Sequence, residues 1–112
     1  MILPHIVIRG ITIEQTKEIS KPLVEELAAI CDCGTDNFTL EVPQSVFIFD
    51  GEEVPSFPLI EVKWFERGQE IRDKFAQAIT KYIMGTGVQE VEVTFISLAE
   101  SAYYINGSRC DE

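Results

Sequence analysis

The chain has 112 residues, of which 46% are hydrophobic and 25% charged, and its formal net charge is −10. That length and apolar content suffice for a single domain over residues 1–112 and exclude a disordered tail. The acidic surplus excludes nucleic acid and anionic membrane as partners, since like charges repel a phosphate backbone, and no apolar run is long enough to cross a bilayer.

The first residues, Met1-Ile2-Leu3-Pro4-His5, lack the basic segment of a secretory leader, so a cytoplasmic location is expected. Three cysteines, an odd number, fit free thiols rather than a disulfide framework. Pro4 opens the alternating segment His5-Ile6-Val7-Ile8-Arg9, which is expected to form a strand. Thr12-Ile13-Glu14-Gln15 has capping-box spacing, in which the threonine and glutamine side chains satisfy each other's backbone N–H, so a helix starts there. Ile19, Leu23, Leu27 and Ile30 fall on one face of that helix, and Pro22 within it is expected to introduce a kink by removing a hydrogen bond. A second strand follows at Phe38-Thr39-Leu40-Glu41-Val42, then Phe47-Ile48-Phe49 and Asp50-Gly51, a dipeptide that favours tight hairpins because both residues tolerate positive φ.

From Pro58 the same order begins again. Pro58-Leu59-Ile60-Glu61-Val62-Lys63 is a strand pattern, a helix spans roughly residues 69–83, and Gly85 and Gly87 end it. Val91-Glu92-Val93-Thr94-Phe95 and then Tyr103-Tyr104-Ile105 before Asn106-Gly107 complete the series. Matched residues (Pro4 with Pro58, Leu23 with Phe75, Asp50 with Asn106) are separated by nearly the same interval, so the chain is a duplication, with repeat 1 at about 4–51 and repeat 2 at about 58–107. Strand parity places Ile6, Ile8, Ile60, Val62, Trp64, Leu40 and Val93 on one face for the helices. It places Arg9, Thr39, Glu41, Glu61, Lys63, Glu92 and Thr94 on the other. Strand–helix–strand crossovers give parallel pairs with both helices on one side. The expected class is α+β: a duplicated β-α-β arrangement (βαββαβ) with a four-stranded mixed sheet, two helices on one face and short hairpin strands. The polar face must meet solvent, a wet cavity or a partner subunit.

Pro4-His5-Ile6-Val7-Ile8, the repeated β-α-β order, and Val91-Glu92-Val93-Thr94-Phe95-Ile96 running on to Asn106-Gly107 resemble the tautomerase superfamily, which includes 4-oxalocrotonate tautomerase and macrophage migration inhibitory factor (MIF). The resemblance covers nearly the whole chain and points to a bacterial branch. It implies a homotrimer, no cofactor, and an isomerase in which an N-terminal proline moves a proton on a small keto or enol acid. Pro4 is the matching catalytic residue. A free proline amine in an apolar pocket has its pKa lowered toward neutrality, where a base transfers protons well. As written, however, Pro4 follows three residues, and its nitrogen is a tertiary amide without a basic lone pair. Initiation at Leu3 from a UUG codon, followed by methionine removal, would expose it.

Phe65-Glu66-Arg67-Gly68 resembles the superfamily's arginine-bearing loop, which makes Arg67 a substrate-binding candidate beside Arg9 and Lys63. Phe49 matches the position of an aromatic wall. A second arginine is replaced by Thr39 and Glu92, and the inhibitory-factor lysine by Cys33, so a dicarboxylate held by two arginines is not expected. The plainer roles are cross-strand ion pairs for Arg9 and Lys63, pairing of Arg67 with Glu66 or Glu70, and hairpin packing for Phe49. Cys31-Asp32-Cys33, with Cys110 and His5 as the remaining ligand types, lacks metal-site spacing, so no metal is expected. Two alternatives stand beside the isomerase: an inert oligomeric binding module of the same fold, and a ferredoxin-like regulatory ligand-binding domain. The hairpins after Val42 and Ile96, expected to add short edge strands to the sheet, separate the last of these.

Overall fold

Alternation in the strands sets the layers. In β1 (His5–Arg9), Ile6 and Ile8 are fully buried, and in β5 (Leu59–Trp64) the same is true of Ile60, Val62 and Trp64. The two strands pair antiparallel, His5 opposite Lys63 through Arg9 opposite Leu59, so their apolar side chains share one face. β2 (Thr39–Glu41) adds parallel to β1, and β6 (Glu92–Ser97) adds parallel to β5, which gives the sheet order β2-β1-β5-β6. The computed structural model describes residues 3–112; Met1 and Ile2, on which part of the leader reading rests, lie outside them.

Both crossovers are helices on the apolar face. α1 (Ile13–Cys31) begins with the full capping box: Gln15 N–H donates to Thr12 Oγ1 at 3.0 Å, and Thr12 N–H to Gln15 Oε1 at 2.9 Å. It runs through Pro22, which is exposed, and ends where Asp32 adopts the left-handed conformation (φ 52°). α2 (Gln69–Met84) ends at Gly85, close to the expected boundary. Leu23 and Leu27 from α1 meet Phe75, Ile79 and Ile83 from α2 over the sheet, all fully buried. Each such side chain contributes about 1.5–3 kcal/mol relative to exposure, which makes this cluster the main source of stability. Glu26 on α1 accepts from both Lys81 Nζ (2.7 Å) and Tyr82 Oη (3.0 Å) on α2 and ties the outer edges of the helices.

The duplication extends to backbone detail. Pro4 O accepts from Thr39 N–H at 3.2 Å, and Pro58 O accepts from Glu92 N–H at 3.0 Å, so each proline starts its strand in the same way. The parallel pair within each repeat and the antiparallel seam between repeats rule out a ferredoxin-like sheet, whose strands all pair antiparallel.

The hairpins differ from expectation. β3 (Phe47–Phe49) with β4 (Glu52–Val54), and β7 (Tyr104–Ile105) with β8 (Ser108–Arg109), form two separate ribbons; neither extends the main sheet. Their turns are as read: Asp50 and Gly51 (φ 52° and 78°) and Asn106 and Gly107 (φ 52° and 84°) all lie at positive φ. Val46, Ile48, Phe49, Tyr104 and Ile105 are exposed on or beside the ribbons. The radius of gyration of 15.0 Å exceeds the value of about 13 Å for a compact chain of this length, in keeping with protruding ribbons.

Two glycines separate conformational strain from steric overlap. Gly10 has φ +95°, and a Cβ there would lie 2.3 Å from the Phe57 carbonyl carbon; Gly51 has φ +78° with open space around it. Gly51→Ala is expected to cost about 1 kcal/mol from strain alone, and Gly10→Ala at least about 2 kcal/mol, because backbone must also move. Urea unfolding of the two variants measures this, and equal losses would contradict the close contact.

Candidate functional site

Because β1 and β5 are antiparallel, the first residue of one lies beside the last of the other. Pro4 therefore falls next to Trp64 and the loop that follows it, and Lys63 lies opposite His5. Pro4 is fully buried, as is nearly all of Leu3, to which it is joined by a cis peptide bond. The sequence-derived candidates divide between the two ends of the seam. Pro4, Lys63 and Arg67 lie toward one end, Lys63 on the open face opposite His5 and Arg67 in the loop against Trp64. Arg9 lies at the other, five residues along β1, or about 16 Å away at strand rise. It lines an open cleft of about 640 Å³ with the start of α1 and the Pro43–Val46 segment. Phe49, on a ribbon reached from the far end of β2, is 74% exposed and does not approach Pro4 within the chain.

The plainer roles are met only in part. Arg9 pairs with Glu61 across the strands, and His5 Nε2 lies 2.7 Å from Glu41 Oε1. Val7, on the open face between these pairs, is only 3% exposed. Lys63, half-buried on the same face, makes no ion pair among the described residues. Arg67 pairs with neither Glu66 nor Glu70. Those acids are taken by Arg72 (2.6 Å) and Lys74 (3.3 Å), and the Arg67 guanidinium instead lies 5.8 Å from the centre of the Trp64 ring, a cation–π contact. Trp64 is a core residue, as the sequence suggested, packed between Phe75 and Phe95.

Among the described residues, the buried side-chain nitrogens without a hydrogen-bond partner are His5 Nδ1, Trp64 Nε1, Arg67 Nε and Arg72 Nε. Native interiors satisfy nearly all such groups, so unmet ones call for an explanation. They do not converge on one point: His5 lies on the open face of the sheet, Trp64 in the core under the helices, Arg67 in the loop after β5, and Arg72 on α2 with its terminal nitrogens held by Glu66 and Gln69.

The loop carrying Arg67 is held by Glu66, which the sequence offered only as an ion-pair partner for Arg67. Glu66 accepts from Gly68 N–H at 3.0 Å, from Arg72 on α2 at 2.6 Å, and from Ser97 Oγ at the end of β6 at 2.7 Å. The Arg72 hydrogen bond, followed by that of Ser97, pulls the Glu66 carboxyl down to about 2, against a smaller opposing effect of burial. A carboxylate just before a helix whose first residue has no side-chain cap was the available signal. Ser97, distant in sequence, gave none. The cysteines also depart from the reading as free thiols: Cys31 and Cys33 are bridged, and only Cys110 is free. No group of three or more metal-ligating side chains occurs among the described residues, and no described helix is long and apolar enough to cross a membrane.

Residues 3–109 match a family described as a domain of unknown function, DUF1904. A crystal structure of a DUF1904 domain from Sebaldella termitidis is 36% identical, with a TM-score of 0.88 over 96% of this chain and 99% of that one. R7 fused 4-OT, solved as a wild-type asymmetric trimer, is 10% identical with a TM-score of 0.80, covering 96% and 97% of the two chains. A MIF-like protein from Entamoeba histolytica is 19% identical with a TM-score of 0.72, covering 94% and 96%. The fold is therefore that of the tautomerase/MIF superfamily. No curated protein matches the chain.

The depressed carboxyl of Glu66 has a consequence in acid. A folded pKa below the ordinary 4.5 means that protons bind the unfolded chain more tightly. The stability it contributes is complete above the ordinary value and is lost as pH falls from there toward 2. Glu66→Gln should flatten that limb of the stability curve, as measured by urea unfolding at about pH 6 and about pH 3. Identical pH slopes in the two proteins would contradict the clamp.

Proposed function

This chain belongs to the DUF1904 family, and from that premise we propose that its Pro4 end binds a small organic acid, on which Pro4 acts as general base in a chain beginning at that residue. The Arg67 guanidinium, left free by Glu66 and Glu70 in the loop beside the buried Pro4, carries this reading, because such a cation suits an anionic oxygen. Arg67 and Lys63 supply the cationic charge for one carboxylate. Pro4, buried beside Trp64, supplies an amine whose cation the apolar surroundings disfavour. The reaction class is keto–enol isomerisation: the amine removes a proton from carbon next to a carbonyl, the developing enolate is stabilised by the nearby donors, and the proton returns to oxygen.

A second reading rests on a different observation. In the chain as written Pro4 is joined to a buried Leu3, its nitrogen is an amide, and proton transfer through it is excluded. The fold then serves as an oligomeric binding module. Both readings place further copies of the chain against the exposed apolar ribbons, in a homotrimer.

Two measurements test these statements. A chain beginning at Pro4 is expected to change phenylpyruvate enol absorbance about a hundredfold or more faster than its Pro4→Gly variant, while the 112-residue chain stays at the level of that variant. In the active form, Arg67→Ala should raise KM about tenfold or more through loss of a charge-assisted hydrogen bond. Activity no greater than that of Pro4→Gly overturns the isomerase. Sedimentation equilibrium should give three times the 12.6 kDa chain mass; a monomer overturns the trimer.

A further inference from the structure

We propose that Cys31 and Cys33 form a reversible thiol–disulfide exchange site, reacting with low-molecular-weight thiols and disulfides. The backbone brings the two side chains together: Asp32 is left-handed, and the N–H groups of Asp32 and Cys33 both turn back to Ala28 O, the latter at 3.0 Å. This sets the two Cα atoms 5.4 Å apart, inside the range that bridged cysteines occupy. A bridge closed over one intervening residue constrains almost none of the unfolded chain, so it is a poor staple. The helix end is already fixed by its own hydrogen bonds and does not need it. Both cysteines are half-buried and Asp32 is exposed, so a small thiol can reach them.

The two sulfurs are not equivalent. Cys31 packs against the core, whereas Cys33 lies outside that cluster. A thiolate therefore attacks Cys33 Sγ, forms a mixed disulfide there and expels Cys31 as thiolate, which takes a proton from solvent. A second thiolate attacks the small molecule's sulfur, releasing a low-molecular-weight disulfide and the Cys33 thiolate, so that two electrons pass to the protein. Oxidised glutathione reverses both steps.

The test uses the full chain, reduced with dithiothreitol, desalted and exposed to oxidised glutathione, with labelling by iodoacetamide and intact-mass analysis. The reduced protein should take three labels, matching its cysteine count. The oxidised protein should take one, at Cys110, with loss of two hydrogens and no retained glutathione, and dithiothreitol should restore three. Cys33→Ser should instead retain a glutathione adduct at Cys31 or stay unmodified, without forming a bridge. Persistence of label at both Cys31 and Cys33 after oxidation, or a stable adduct at either of them in the wild-type chain, overturns the exchange site.

Discussion

The antiparallel seam between β1 and β5 is the contact on which the rest of the molecule depends. It joins two strand–helix–strand units that each leave one edge of a central strand unpaired, and it aligns Ile6, Ile8, Ile60 and Val62 into the floor of one core. The same pairing sets the functional geometry. Antiparallel strands place the start of one against the finish of the other, so the proline heading β1 meets the loop leaving β5, and Pro58 heading β5 meets Arg9 and Gly10 leaving β1. The closeness of Gly10 to Phe57 and Pro58 is the structural trace of that second meeting.

A duplicated fold thus offers two equivalent ends, and the sequence has made them chemically different. At the Pro4 end Arg67 is free of the acids beside it, because Glu66 and Glu70 are held by Arg72 and Lys74. At the Pro58 end Arg9 is neutralised by Glu61, and the small cavity at Pro58 is lined by Glu90 and Glu92. The carboxylate of the proposed function would thus meet cations at one end and acids at the other. The overall charge of −10 does not reverse this preference. Repulsion from distant surface charges is screened over about 10 Å at ordinary salt, while contacts of a few ångströms in a partly dry site are not.

Local chemistry was legible in the sequence, and contacts between distant segments were not. The capping box at Thr12, the positive-φ dipeptides at Asp50 and Asn106, the end of α2 at Gly85 and the strand parities each depend on a few adjacent residues, and each appears where the pattern places it. The ribbons were misplaced because their apolar residues alternate like those of sheet strands, and nothing local says which edge they join. The direction of the strands puts Arg9 at the end of β1 opposite Pro4, and Phe49, a candidate by its match to an aromatic wall, lies exposed on a separate ribbon. The Glu66 clamp needs Ser97 from β6, and the Cys31–Cys33 pair depends on a left-handed Asp32 that, unlike Asp50, has no glycine after it to mark the turn.

The central claim is that the Pro4 end is built to lower the basicity of an amine at that position. Its most direct test is a pH titration of the Pro4 nitrogen by ¹⁵N NMR in a chain beginning at Pro4. The account predicts a single titration clearly below the ordinary terminal-amine value of about 7.7–8.0. A nitrogen that titrates at or above that value would contradict it.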